Sequence, residues 1–182
     1  MELTDEEQAR IVAGNGANGP TYVVTYPEFE DGAIEVDVAA ELTGRGQKDA
    51  RGFVGIAFHI DPVTKIYEAV YLRMTNGSLN VPPPPAPLID RAVQYVAHPD
   101  FHFRISREKY PGRYERPAKV ALGRWHRLRL EIAGSKAEVF VDGEKVLAVS
   151  DLHYAGRRGP VGLFIDDGTR GYFADLRVGG GA

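Results

Sequence analysis

The stretch "WHRLRLEIAGSKAEVFVDGEKVLAVS" (residues 125–150) carries the strongest fold signal in the chain. Leu128, Leu130 and Ile132 alternate with charged residues, which is the pattern of a strand with one buried face. Asp142 and Gly143 separate two further apolar runs, and an Asp-Gly pair favours the tight turn of a β-hairpin. The stretch therefore predicts three consecutive antiparallel strands.

Similar short strands are predicted on both sides of this stretch. "AIEVDVAAEL" (33–42) alternates apolar and polar residues, whereas "GFVGIAFHI" (52–60) is apolar almost throughout, which is typical of a strand covered on both faces. No stretch after residue 15 has a helical period of useful length. So many short strands in one domain need a closed barrel or two packed sheets, and we expect an all-β jelly-roll β-sandwich of two antiparallel sheets. The remaining predicted strands are "KIYEAVYLR" (65–73), "RAVQYVAHPDFHF" (91–103), "GPVGLFIDD" (159–167) and "GYFADLRV" (171–178).

Length and charge set the domain organisation and exclude some functions. The 182 residues predict one domain over 21–178, after a partly flexible lead-in over 1–20 and before a Gly-rich tail over 179–182. In the lead-in, Thr4 and Glu7 have the spacing of a helix cap, which predicts a short helix over 4–10. A formal net charge of −3 argues against a nucleic-acid or membrane-surface partner.

The compartment is not decided by the sequence. No apolar run approaches the ~20 residues that span a bilayer, and the first ten residues lack the features of a signal peptide. We therefore expect a soluble protein, either cytoplasmic or exported after removal of a leader. The absence of cysteine excludes disulfides, thiolate metal ligands and a cysteine nucleophile.

A proline-rich segment, "NVPPPPAP" (80–87), interrupts the series of strands. Proline lacks a backbone donor, so this segment is predicted to leave the sheet as a stiff surface loop. Two interpretations stay open: a rigid loop, or a binding segment for a protein partner through Pro82–Pro87.

The order of these strands, from "FEDGAIEVDV" (29–38) to "GPVGLFIDDGTRGYFADLRV" (159–178), resembles the concanavalin A-like lectin/glucanase superfamily. Within it the chain is most similar to laminin-G-like and 3-keto-disaccharide-hydrolase-like bacterial domains. The most specific features are Trp125 at the start of a strand, the Val-Asp-Gly hairpin and the glycine-containing strand before the last one. The resemblance implies a concave sheet that commonly receives a carbohydrate, on a fold that also hosts hydrolases, lyases and interaction modules.

An acidic strand bears on the glucanase mechanism. Glucanases of this superfamily carry Glu-x-Asp-x-Glu, or Glu-x-Asp-x-x-Glu with one bulged residue. In this sequence Glu35 and Asp37 fit, but Glu41 falls one position too far along. The pattern therefore favours a solvent-facing strand edge over a glucanase centre.

Aromatic and polar residues on two strands form the candidate binding site. Tyr67, Tyr71 and Arg73 share one face at period two, and Gln94 and His98 share one face of a later strand. Tyrosine rings stack on sugars, and the polar groups bond to hydroxyls or carboxylates. Packing between strands is the competing interpretation. The complete set of predicted ligand-binding residues is His59, Tyr67, Tyr71, Arg73, Gln94, His98 and Glu115.

Three functions remain open from these residues. The leading prediction is a lectin-like domain that binds a saccharide or a related polar ligand on its concave face. The first alternative is a glycoside hydrolase or polysaccharide lyase on the same face, for which Glu68, His98 and Glu115 are the catalytic candidates. The second alternative is a protein-interaction module without a small-molecule site.

Charged residues suggest two further ligands. Nine Lys or Arg residues lie between Arg104 and Arg129 against two acids, an excess that attracts anionic groups or pairs with the acidic stretch over 28–41. A structural calcium ion is the other prediction, with Asp166 and Asp167 in a turn as the candidate ligands. No cofactor is required by any of these interpretations.

Overall fold

The computed structural model describes residues 1–2, 4–5 and 21–180. The helix predicted over 4–10 falls, apart from Thr4 and Asp5, outside the described residues. Within the described chain the backbone forms eleven strands, one short α-helix and two single-turn 3₁₀ helices. The strands are β1 (Thr21–Phe29), β2 (Gly32–Leu42), β3 (Phe53–Phe58), β4 (Tyr67–Arg73), β5 (Val93–His98), β6 (Glu115–Arg116), β7 (His126–Ala133), β8 (Lys136–Val141), β9 (Glu144–Val149), β10 (Gly159–Ile165) and β11 (Thr169–Gly180). The helices are α1 (Phe103–Lys109) and the 3₁₀ turns Met74–Asn76 and Ile89–Arg91.

Two antiparallel sheets pack face to face, which confirms the predicted all-β sandwich. The six-stranded sheet has the order β1-β10-β3-β4-β5-β6, and the five-stranded sheet has the order β11-β2-β7-β8-β9. The hairpin between β8 and β9 turns at Asp142 and Gly143, whose φ angles of 50° and 82° are those of a type I′ turn. This turn confirms the hairpin predicted from the Asp-Gly pair.

The core between the sheets follows the alternation seen in the sequence. Ile34, Val36 and Val38 of β2 have no exposed surface, and neither do Leu128 and Leu130 of β7. Each side chain of this size contributes about 1.5–3 kcal/mol when fully buried, so one face of each strand anchors the sandwich.

The six-stranded sheet is covered on its outer face as well. A second apolar cluster lies there, and Tyr22, Phe53 and Phe103 pack against it. This explains why β3 is apolar throughout, as the sequence predicted. The buried members of this cluster are Ala57, Ile60, Tyr67, Ala69, Tyr71, Val96 and Phe164.

Gly55 lies at the centre of this outer face, between Phe164 of β10 and Tyr71 of β4. A Cβ at position 55 would lie 2.2 Å from the carbonyl oxygen of Val70, so no larger residue fits. Because this side chain is missing, the rings of Tyr71 and Phe164 stack with centroids 5.0 Å apart.

The segment after β5 differs from the prediction. The strand ends at His98, Phe101 makes only an isolated bridge to Ala97, and the chain then forms α1. Seven residues make about two helical turns, too few for a helical period to be seen in the sequence. This helix matters because it forms one wall of the candidate site.

The end of β11, the proline-rich loop and the lengths of the helices complete the description. β11 continues through Gly179 and Gly180, two residues past the predicted domain end, and pairs with Ala33 and Gly32. The loop over 80–87 contains no strand and is mostly exposed, as predicted for a proline-rich segment. Among the described residues no helix is long and apolar enough to cross a membrane.

Candidate functional site

A row of side chains crosses the outer face of the six-stranded sheet. The cross-strand register pairs each residue of the row with the next, from β1 to β6. The face therefore brings together several residues that the sequence analysis selected from separate strands. From one edge to the other the row contains Tyr22, Phe164, Gly55, Tyr71, Gln94 and Glu115.

Arg73, at the end of β4, is the central polar group of this face. It is 4% exposed, and its Nη2 donates hydrogen bonds to Tyr71 Oη and Gln94 Oε1, each over 3.2 Å. Its Nη1 donates to the carbonyl oxygen of Arg91 over 3.1 Å. Among the described residues its Nε–H has no hydrogen-bond acceptor. Arg73 is thus held rigidly by three of its five N–H groups, and its Nε–H remains as a donor for a ligand.

Glu115 holds three arginines together beside this group. Arg107 binds both carboxylate oxygens with its Nε and Nη2, at distances of 2.8–3.0 Å. Arg91 Nε lies 3.2 Å from Oε1, and Arg73 Nη1 lies 3.8 Å from Oε2. With both oxygens engaged and 6% exposure, Glu115 positions the arginines and is poorly placed to act on a ligand itself.

An open groove of about 360 Å³ begins where β4 ends. This volume lies within the range of ~300–1,000 Å³ that is usual for ligand pockets. The groove is bounded by the β2–β3 loop, the β4–β5 connection, helix α1 and the turn after β10. Its lining combines the rings of Phe53 and Phe103 with Arg73 and with charged side chains from each of these segments.

Acidic residues lie on the β10 side of the groove. Asp49, Asp166 and Asp167 line it, and Asp166 Oδ1 accepts a hydrogen bond from the Asp167 backbone N–H over 2.8 Å. Burial of the carboxyl group, assisted by the charge of Asp167, raises the pKa of Asp166 to about 6. A carboxyl group of this kind holds a proton up to mildly acidic pH.

His102 immediately precedes α1 and stands between the groove and a second cavity. Burial, together with the positive charges of Arg104, Arg73 and Arg107, lowers the pKa of His102 to about 4. Its imidazole is therefore neutral at pH 7, and it offers a ligand one donor and one acceptor.

The second cavity is too small for a sugar. It measures about 20 Å³ and is lined by Tyr67, Tyr71 and His98, with Phe164 and Asp166 beside them. That space is enough for a water molecule, which needs ~10–15 Å³. The ring of His98 stacks on Tyr67 at 5.0 Å, and burial lowers the pKa of His98. The two tyrosines and His98 therefore lie on the predicted face of the sheet, but they line the small cavity beside the groove and not the groove itself.

Two other predicted site residues lie on the inner side of the sheet. His59 and Glu68 have no exposed surface, and His59 Nδ1 lies 2.6 Å from Glu68 Oε2. The φ angle of 50° at His59 reverses the strand alternation and turns its ring inward. The structure therefore does not bring His59 or Glu68 to the groove, and we leave both out of the proposed site.

The predicted calcium ligands have protein partners. Asp167 Oδ2 accepts a hydrogen bond from the Gln47 backbone N–H over 3.0 Å, and Asp166 is bound to Asp167 as described. Within the described part of the chain, no three His, Cys, Asp or Glu side chains come together in a geometry that suits a metal ion. A calcium site stays a prediction.

The acidic side chains of β2 lie on the outer face of the five-stranded sheet. Arg127 binds Asp37 with two hydrogen bonds of 2.7 and 2.8 Å and lies 3.4 Å from Glu35. Near them, Trp125 is 55% exposed, with its ring 6.5 Å from that of Tyr172. Glu35 and Asp37 are thus parts of a surface ion-pair network, as the sequence analysis favoured.

Several groove residues were not selected from the sequence. Arg91, His102, Phe103, Arg104 and Arg107 come from the segments around β5 and α1, where the sequence pattern indicated a strand and a loop. Only the excess of basic residues after position 104 pointed toward this region. Their convergence depends on the helix, which the pattern did not predict.

Two groove residues are expected to change stability with pH in opposite directions. The folded pKa of His102 is below its ordinary value of 6.5, so its contribution is present above pH 6.5 and is lost as the pH falls toward 4. The folded pKa of Asp166 is above its ordinary value of 3.8, so its contribution is present at low pH and is lost as the pH rises through 6.

Thermal unfolding between pH 4 and 6.5 measures this difference. On acidification the variant His102→Gln is expected to lose less stability than the wild-type chain, whereas Asp166→Asn is expected to lose more. Identical pH profiles for the two variants would contradict both assignments.

Comparison with known proteins shows which solved structures share this fold. No protein-family model matches the chain, and no curated protein matches it significantly. The carbohydrate-binding module CBM66 from Bacillus subtilis has a TM-score of 0.59 and 15% sequence identity, and the match covers 88% of this chain and 82% of that one. A protein of unknown function with a galectin-like fold, also from Bacillus subtilis, gives 0.54 at 11% identity over 85% and 74% of the two chains. A double variant of human galectin-16 gives 0.51 at 12% identity over 89% and 96%. The chain therefore shares the β-sandwich fold of these solved structures.

Proposed function

We propose that this chain is a carbohydrate-binding β-sandwich domain and that its saccharide occupies the groove at the end of β4. The observation that carries the proposal is the groove itself, which joins a ligand-sized volume of about 360 Å³ to a fixed donor on Arg73. The similarity of the fold to a protein named as a carbohydrate-binding module agrees with this assignment.

The chemistry of the lining suits a sugar. Phe53 and Phe103 provide apolar ring surface for the C–H face of a pyranose or furanose, while neutral His102 and Asn76 provide hydrogen-bonding groups for hydroxyls. The floor is preorganised, because Gln94 has no exposed surface and holds Arg73 in place. A rigid floor lowers the entropic cost of binding.

Calorimetric titration of the full chain against a panel of neutral and acidic oligosaccharides, with and without calcium, tests the proposal. We expect at least one saccharide to bind, and we expect Phe103→Ala to weaken it by about tenfold or more, equivalent to ~1.4 kcal/mol. The calcium arm tests the predicted structural ion in the same experiment.

The exposed Trp125 supplies the matched control because it immediately precedes β7 of the opposite sheet. Trp125→Ala is expected to leave saccharide affinity unchanged. If Trp125→Ala abolishes binding while Phe103→Ala does not, the site lies on the other sheet and the groove is the wrong location. If no saccharide binds the wild-type chain, the function is wrong, and a protein-interaction module, for instance through Pro82–Pro87, becomes the better hypothesis.

A hydrolase in the same groove is the second candidate, and Asp166 is the observation that favours it. A carboxyl group with a pKa of about 6 beside the carboxylates of Asp49 and Asp167 is the combination from which glycosidases draw an acid and a base or nucleophile. New reducing ends that disappear in Asp166→Asn would favour this enzyme, whereas an unsaturated product would favour a lyase. A closer relationship to laminin-G-like or 3-keto-disaccharide-hydrolase-like domains stays a prediction.

A further inference from the structure

Four arginines converge on one side of the groove, and we refer to them as the arginine cluster. They come from three separate segments: Arg73 ends β4, Arg91 lies in the β4–β5 connection, and Arg104 and Arg107 belong to α1. Glu115 is the carboxylate bound to this cluster among the described residues, with Arg107, Arg91 and Arg73 around it. One negative charge against four positive charges leaves an excess of three.

Arg73 and Arg104 are the members of the cluster with the weakest pairing to carboxylates in the described structure. Arg73 is 4% exposed, and burial lowers its pKa, with the charges of Arg107 and Arg91 acting in the same direction and the charge of Glu115 against it. In the described structure Arg104 has no ion pair, and its guanidinium lies 5.7 Å from the centre of the Phe103 ring.

The acidic residues of the groove lie on its β10 side, where Asp166 is close enough to Arg73 for their charges to interact. Asp166 follows β10, which pairs with β3, whereas the cluster extends from β4 toward β6, so the sheet order separates the two groups. The groove is therefore polarised along the sheet.

We infer that the saccharide bound in this groove is acidic and that its carboxylate, sulfate or phosphate group lies against the arginine cluster. Planar guanidinium groups bind such oxyanions through paired charge-assisted hydrogen bonds, and Arg73 Nε–H is a preorganised donor. The guanidinium groups of Arg73 and Arg107 lie 5.5 and 4.7 Å from the centre of the Phe103 ring, and these contacts help to orient them. This inference rests on the proposed function and names the class of its ligand.

Matched ligand pairs test this inference on the full chain. The pairs are a uronic-acid oligosaccharide with its carboxyl-reduced neutral form, and a sulfated oligosaccharide with its unsulfated form, with sodium sulfate as the anion alone. We expect an acidic member to bind at least about tenfold more tightly than its neutral partner, and we expect higher salt to weaken this binding. Arg104→Gln is expected to reduce the affinity of the acidic member severalfold and to narrow the difference in affinity between the two members of the pair.

Arg124→Gln is the matched control, since Arg124 is exposed, lies outside the groove and carries the same charge. It is expected to leave the affinity of the acidic ligand unchanged. Equal affinity for both members of each pair overturns the inference but leaves saccharide binding in place. Sulfate alone binding as tightly as the sulfated sugar overturns it as well, because the sugar would then contribute nothing. Absence of binding by every saccharide overturns the proposed function, and the inference with it.

Discussion

Replacing Glu68 with leucine is expected to lower the free energy of unfolding by about 3–5 kcal/mol, the range found when one partner of a buried ion pair is removed. Glu68 Oε2 lies 2.6 Å from His59 Nδ1, Tyr95 Oη donates to Oε1, and both partners are fully buried. His59 Nε2 donates a hydrogen bond to the Glu30 carbonyl oxygen over 2.8 Å, so the imidazole ring is held through both of its nitrogens. Leucine leaves the polar atoms of His59 and Tyr95 buried without this partner. Urea unfolding followed by circular dichroism measures the loss.

Two controls separate the network from a general effect of substitution. Glu131→Gln changes a half-exposed carboxylate whose one ion-pair partner among the described residues is Arg129, and it is expected to change stability by less than ~0.5 kcal/mol. Tyr95→Phe is expected to cost less in the Glu68→Leu background than in the wild-type chain, because its hydrogen bond to Glu68 is already lost. A loss below about 1 kcal/mol for Glu68→Leu would show that the network contributes little.

Arg73→Lys is expected to lower the free energy of unfolding by about 2–3 kcal/mol even though the charge is kept. One guanidinium donates to Tyr71 Oη, Gln94 Oε1 and the Arg91 carbonyl oxygen, and a single ammonium group does not reach all three. Gln94 Oε1 would then lose the donor that it has in a fully buried position. Thermal and urea unfolding of the variant measure this cost.

Arg104→Lys is the matched control for Arg73→Lys. Arg104 lines the same groove but is exposed, and no hydrogen bond to another described residue holds its guanidinium. The change is expected to alter stability by less than ~0.5 kcal/mol. Lysine keeps the positive charge of arginine but not the geometry of its guanidinium group. Equal stability of the two variants would therefore show that the guanidinium geometry at Arg73 contributes little to stability.

The strands of this protein were predictable because each carries a local signal. Alternation in β2 and β7 follows from a buried face opposite a solvated one, and the Asp142–Gly143 turn follows from the positive φ angles that a hairpin requires. The all-apolar β3 correctly indicated cover on both faces. These are properties of short segments, so they can be read without knowing how the segments pack.

The candidate site was only partly predictable. Tyr71, Arg73 and Gln94 were correctly placed on one face because period-two alternation fixes the facing of a strand residue. The same rule failed at His59, where a φ angle of 50° turns the ring toward Glu68. A residue on the outer face of the six-stranded sheet can line the groove or be buried under other residues. Which of the two occurs depends on the loops and the helix that cover this face.

What the sequence determined by itself is therefore the class of fold, the hairpins and the inward or outward facing of most strand residues, because hydrophobic alternation and turn chemistry are local. The tertiary structure alone decided where the groove lies. It formed a two-turn helix over Phe103–Lys109 and joined that helix to the end of β4 through Glu115. It also separated the acids near β10 from the arginine cluster. These contacts join residues far apart in sequence, and their free energy depends on distances and burial that only the folded chain defines.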